Sequence, residues 1–420
     1  MKNGAKNNDR RYDDYFQRGN VRLVTERYDE AIEDYDKAIE WKSDYVPAYN
    51  FRGYAYEIKG EFDRAIKDYN AAIDRQPDYA EAYNNRGMAY IKKREFDHAI
   101  KDFNTAIELK PNLAEAHNNC GLAHIKKGDV DRAIENFFTA INLKRDYAEA
   151  YNNRGAAYRQ KVEIDSAIQD FTRAIKLDPD YANAYLNRGA AYGDNGDYAR
   201  SIGDYIKVIE LEPDNAKAYY NRGRAYRNIR DYNRAIEDFD KTIELKPNYA
   251  LAYFGRGLAY KRKKDYDRAI EDYNMAIELK PNFALAYSNR GQVYRRKKDC
   301  DRAIDDFSKA TNLKPNYAEA YCGRSVVYSN KQDYGRAIDD YTKAIELRPD
   351  YANAYLNRGM ALLRLSKWDK AKSDLLIAKD KGRNIVAAFR NNYESIFDFE
   401  HRNRLKLPAD VAAMLTTSRA

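Results

Sequence analysis

His117, Cys120 and His124 stand at i, i+3 and i+7, so a helix would carry two imidazoles and a thiol on one face. Such groups bind zinc. The two histidines, however, fall where related segments of this chain carry aromatic residues, which makes them packing substitutions. No metal and no other cofactor is assigned to them. A second series is Asn85, Asn119, Asn153, Asn187 and Asn221, then Asn289 and Asn357, on one 34-residue spacing. An amide both donates and accepts, so a row of them can bind the main chain of an extended peptide with little regard for its sequence. The same row can instead bond locally or to water. It is interrupted at Phe51, Gly255 and Gly323, so a bound stretch is expected to centre on residues 80 to 221.

Cations gather later in the chain: Arg227, Lys261, Arg262, Lys263, Lys264, Arg295, Arg296, Lys297 and Lys298. Stacked, they predict one basic band at the ends of three helices. Cations suit helix C-termini, and the same band could meet an acidic segment or phosphate. Arg227, Lys261, Arg262, Arg295 and Arg296 are the candidate residues for an anionic partner. Catalytic patterns are missing from the sequence: it has no nucleophile elbow, no phosphate-binding glycine run and no HExxH. An enzyme is therefore not expected.

What positions these residues is a repeat. Gly19, Gly53, Gly87 and their successors to Gly359 lie on a 34-residue grid that only Ser325 breaks. With that glycine as position 8, eleven units run from Tyr12 to Ile385. In residues 80–113, apolar residues recur at intervals of three and four through two segments parted by a polar turn. That is the signature of two amphipathic helices, A and B. Pro111 and its equivalents end helix B. One hairpin cannot cover its own apolar face, so neighbours must stack.

Arg fills position 7 and Asp position 23 in ten of the eleven units, and the fourth unit, with Cys120 and Asn136, is the exception at both. The coincidence predicts an ion pair within each unit, such as Arg222 with Asp238. Planar guanidinium suits a bidentate carboxylate contact.

The grid resembles the tetratricopeptide repeat: in the seventh unit its slots hold Tyr219, Gly223, Tyr226, Ala235, Phe239, Thr242 and Pro247, with one mismatch at Thr242. The AYNNRG wording and the 39 tyrosines look like prokaryotic, Tyr-rich members of the family. The resemblance implies an all-α fold, a right-handed α-solenoid superhelix of helix-turn-helix repeats whose A helices line a concave surface where partner segments lie. The asparagine row is similar to that in the repeat arm of O-GlcNAc transferases, which implies peptide binding. The family's carboxylate clamp needs Lys at position 5, which no unit has, so chaperone docking of that type is not expected.

The chain is thus expected to comprise a disordered segment over 1–11, eleven repeats over 12–385, and capping helices with a tail over 386–420. Phe389, Tyr393, Ile396, Phe397 and Phe399 would supply the cap. The expected function is a non-enzymatic scaffold or adaptor holding an extended peptide of a protein partner. The alternatives are a substrate-recruiting subunit of a separate enzyme, and binding of nucleic acid or an acidic ligand through the basic band. A net charge of +8 from 74 basic and 66 acidic residues falls short of a nucleic-acid signature. With no long apolar run, no leader and three scattered cysteines, the chain reads as cytoplasmic and without a membrane partner. Exposed terminal hairpins leave self-association open.

Overall fold

The computed structural model describes residues 11–416, which hold 25 helices and no strand. The segment expected to be disordered lies outside the described residues, save Arg11, which opens the first helix, Arg11–Val24. The chain is an all-α helical-repeat solenoid. It divides into two compact units, Met1–Pro213 and Asp214–Ala420. Six hairpins form the first; five hairpins and three short helices form the second.

Repeat three shows why each hairpin forms. Helix A, Ala80–Lys93, and helix B, Phe96–Leu109, meet where a glycine faces a ring. A methyl group on Gly87 would stand 2.6 Å from the Phe103 ring, so only glycine lets that ring lie flat against helix A. Ala99 and Ala106 are fully buried beside it. The turn between the helices needs one left-handed residue at position 15. Gly128 supplies it with φ 86°, but Val162 adopts φ 65°, a region that β-branched residues rarely enter. Helix B then opens on an acid in the later repeats. Asp231 and Asp265 accept the backbone N–H of Arg234 and Arg268, and each arginine lies over a tyrosine ring, Tyr226 or Tyr260.

Within each unit, A helices of successive repeats touch: Ala148–Gln160 meets Ala182–Asp194, and Ala284–Arg296 meets Ala318–Asn330. The A helices of successive repeats thus lie side by side along one face of each unit. Departures from the repeat pattern are locally satisfied. Ser325 donates to the Cys322 carbonyl at 2.8 Å and Thr242 to the Asp238 carbonyl at 2.8 Å, so each buried hydroxyl closes on its own helix.

The C-terminal segment differs from the expected single apolar helix. Helices Ile385–Arg390 and Ile396–Asn403 are separate, and Ser395 caps the second. Phe389, Phe399, Val411 and Leu415 bury against Leu363 and Leu375 of the last hairpin. Phe397, which the sequence pattern assigned to this cover, is 74% exposed. The break after Arg390 resets the helical phase and turns that ring outward.

Candidate binding groove

A groove pocket of about 550 Å³ in the first unit is lined by Tyr54, Glu57, Asn84, Asn85, Met88 and Asn119, among others. These are positions 5, 6, 9 and 12 of helix A, which makes this face of helix A the candidate groove face.

Position 7 lies beside that face. Arg222 donates through Nε and Nη2 to both carboxylate oxygens of Asp238, at 2.9 and 2.7 Å. The other nine pairs share this arrangement, as in Arg86 with Asp102 and Arg358 with Asp374. Burial pushes the Asp238 carboxyl above its usual value even against the pull of Arg222. The pair therefore offsets desolvation rather than adding much net stability. Sequence reasoning missed a third bond. The remaining guanidinium nitrogen often reaches helix B of the preceding repeat: Arg86 to Asn70 at 2.5 Å, Arg290 to Asn274 at 2.6 Å, Arg324 to Ser308 at 2.9 Å. One arginine so closes a hairpin and joins it to its neighbour.

In the fourth repeat Cys120 approaches Asn104 and Asn136 bonds back to the Arg132 carbonyl, so the Arg–Asp ion pair of the other hairpins is missing from this one. His117 faces the Pro111 carbonyl, while His124 is buried, its pKa lowered chiefly by that burial. The three metal-capable side chains thus turn three ways, and no group of three possible ligands assembles among the described residues.

The asparagine row is engaged with itself in the first unit. Asn85, Asn119, Asn153 and Asn187 each donate to the position-5 amide of the preceding repeat: Asn50, Asn84, Asn118 and Asn152, at 2.9–3.1 Å. Position 5 was not foreseen, although the paired asparagines of AYNNRG were its signal. Each position-6 amide is half-buried and keeps a second N–H. The row does not continue in this form in the second unit, where position 5 holds Tyr220, Phe254 and Ser288 and offers no amide oxygen. Asn289 instead donates to its own helix at Leu285. Asn357 lines a small pocket of about 140 Å³ with Ser329 and Arg364, and Asn221 is half-buried on Ala216–Asn228. Gly255 and Gly323 interrupt the row because a methyl group there would come within 2.7 and 2.5 Å of the Phe239 and Phe307 rings.

The predicted basic band separates into layers. Lys263 and Lys297 turn outward and bind Asn233 and Asp267 of the preceding repeats. Lys264 and Lys298 are the left-handed turn residues. Arg262 and Arg296 are exposed at the groove's edge. Arg227, Lys261 and Arg295 occupy position 12 on the groove face and are half-buried. Lys261 donates to Asn289 at 2.6 Å and Gln292 at 3.0 Å. Burial, with Arg262 and Arg296 nearby, pushes its pKa down to about 8. Burial likewise lowers Arg227, with Arg224 and Arg262 adding to it, and Arg295, beside Arg296.

Profiles described as tetratricopeptide repeat match residues 80–113, 216–249 and 250–283, and residues 15–45. One described as TPR repeat matches 53–93, 123–162, 156–196, 192–229, 291–332 and 327–366. No curated protein matches the chain. Among solved structures, MamA is 34% identical, covering 38% of this chain and 94% of its own, with a TM-score of 0.37. YrrB, described as a TPR protein with an unusual peptide-binding site, is 25% identical over 47% of this chain and 97% of its own, with a TM-score of 0.38. A tetratricopeptide repeat protein from Parabacteroides merdae is 22% identical over 59% of this chain and 98% of its own, with a TM-score of 0.49.

Proposed function

We propose that this chain, which belongs to the tetratricopeptide-repeat family, is a non-catalytic scaffold that holds an extended segment of a partner protein along its A helices. Chains of this family are protein-interaction scaffolds in general terms. No helix among the described residues is long and apolar enough to cross a membrane.

The observation that carries the reading is the groove face of the first unit. Four successive repeats present half-buried amides at equivalent places, beside apolar Tyr54 and Met88. Binding each amide to the next fixes its orientation before a ligand arrives, and such preorganisation lowers the entropy lost on association. The free N–H of each amide suits main-chain carbonyls, which every peptide has.

Changing the asparagines to alanine would also break the bonds between repeats. A cleaner test leaves them intact. Ala156 is exposed at position 9 of Ala148–Gln160, so Ala156→Arg fills the groove without touching the amides. Captured partners should be lost with Ala156→Arg and kept with Glu135→Arg, on the exposed side of helix B. Equal capture by both variants would reject the groove.

A further inference from the structure

We propose that the groove of the second unit reads acidic side chains: Arg227, Lys261 and Arg295 take the carboxylates of an extended partner segment bearing Asp or Glu at every third residue. This deepens the scaffold reading and rests on it.

Three successive A helices, Ala216–Asn228, Ala250–Arg262 and Ala284–Arg296, each place a cation at position 12. Half-burial of a charge is costly unless it is paired, and here no carboxylate lies within ion-pair distance among the described residues. The charged neighbours of Arg227 are Arg224 and Arg262; those of Lys261 are Arg262 and Arg296; Arg295 faces Arg296. The unbound protein thus keeps like charges together in a partly dry place.

A second observation points the same way. Tyr273 is fully buried, and its hydroxyl has no hydrogen-bond partner among the described residues. In earlier repeats the equivalent hydroxyl is satisfied at the groove face: Tyr35 on Asn20 at position 9, Tyr69 on Glu57 at position 12. In this repeat those two positions hold Leu258 and Lys261. Neither accepts, so an O–H donor is left beside the cations, near Arg227 and Arg262. An incoming carboxylate would satisfy both.

Spacing selects the segment. Packed helices lie about 8–10 Å apart, and a polyproline-II chain advances about 9 Å in its three-residue turn. One acid per turn then meets one cation per repeat. Nucleic acid fits less well, since it needs a track of exposed cations. Several outer-turn cations nearby are already neutralised, Lys297 by Asp267, Arg268 by Asp265 and Arg302 by Asp299, which shortens such a track to Arg262, Lys263, Lys264, Arg296 and Lys298.

The test is fluorescence anisotropy on the full chain at moderate salt with a labelled (Glu-Pro-Pro)5 peptide. A peptide of the same composition with its glutamates clustered, (Lys-Pro-Pro)5, and oligothymidylate of 15 nucleotides serve as competing probes. The spaced acidic peptide should bind at least tenfold more tightly than any of the three. Lys261→Met should weaken it about tenfold, Tyr273→Phe about threefold, and Arg227→Gln/Lys261→Met/Arg295→Gln should abolish it. Circular dichroism should show unchanged helicity, and the triple variant's Tm should equal or exceed that of the wild type. Tighter binding of oligothymidylate, or equal binding by the triple variant at intact helicity, would overturn the proposal. If partner capture is lost with Ala156→Arg yet unaffected by the triple variant, the scaffold reading survives and this one does not.

Discussion

Position 12 of helix A behaves differently in the two compact units. In the first, Glu57 accepts from Tyr69 at 3.0 Å and Arg159 is paired with Asp194 at 2.6 Å. In the second, Arg227, Lys261 and Arg295 have only other cations as charged neighbours among the described residues. The floor at position 5 diverges too. Buried Asn118 and Asn152 in the first unit give way to Tyr220 and Phe254 in the second. The same repeat scaffold therefore supports one groove whose polar groups satisfy each other and another whose charges do not. What the ion pairs and glycines fix is the stacking; what positions 5, 9 and 12 carry is left free to vary.

The largest expected effect is shared and serves as the reference. Arg86→Ala in the first unit and Arg222→Ala in the second should each destabilise by on the order of 3–5 kcal/mol, because a buried carboxylate loses its partner. Urea unfolding should give similar losses for the two. A much smaller loss in either unit would mean that the two stacks are not held alike.

Next come substitutions with opposite signs. Asn118 is fully buried, accepts from Asn153 at 3.0 Å and donates to Glu149 at 3.4 Å. Asn118→Ala should cost about 1–3 kcal/mol, the usual penalty for stranding buried partners. Lys261→Met should instead stabilise the unbound protein by about 1–2 kcal/mol, the pKa displacement being discounted for remaining exposure and for the lost amide bonds. That gain depends on pH with a definite sign. The folded pKa of Lys261 is about 8 and its ordinary value 10.5. Between them the unfolded chain holds more protons, so wild-type stability rises with pH. The advantage of Lys261→Met is therefore full below pH 8, declines between pH 8 and 10.5, and is gone above 10.5. A constant difference from pH 7 to 10.5 would show that Lys261 does not titrate as described.

The smallest effect lies outside both grooves. Val162 is 78% exposed and holds φ 65°, so Val162→Gly should stabilise by about 1 kcal/mol, read as a rise in Tm with peptide binding unchanged.

Much of this was legible from the sequence because the repeat multiplies each signal. The period, the glycine at position 8 and the covariation of Cys120 with Asn136 all follow from packing that recurs in each hairpin. The third bond of each arginine was not legible, since its acceptor at position 25 is Asn70, Asn274 or Ser308 and shows no single residue type. The basic band read as one surface because sequence distance does not separate Lys261, turned into the groove, from Lys263, turned out of it. Helical phase separates them. Phe397 was misplaced for a related reason: the repeat grid ends before it, and no period fixes its phase.

The most direct measurement is the stability of two variants without ligand, by urea unfolding at pH 7 under identical salt. One is Asn85→Ala/Asn119→Ala/Asn153→Ala in the first unit; the other is Arg227→Gln/Lys261→Met/Arg295→Gln in the second. The asparagine variant should lose stability and the cation variant should gain it or hold level. A cation variant that unfolds as readily as the asparagine variant would contradict the account, since its charges would then be holding the stack rather than awaiting a partner.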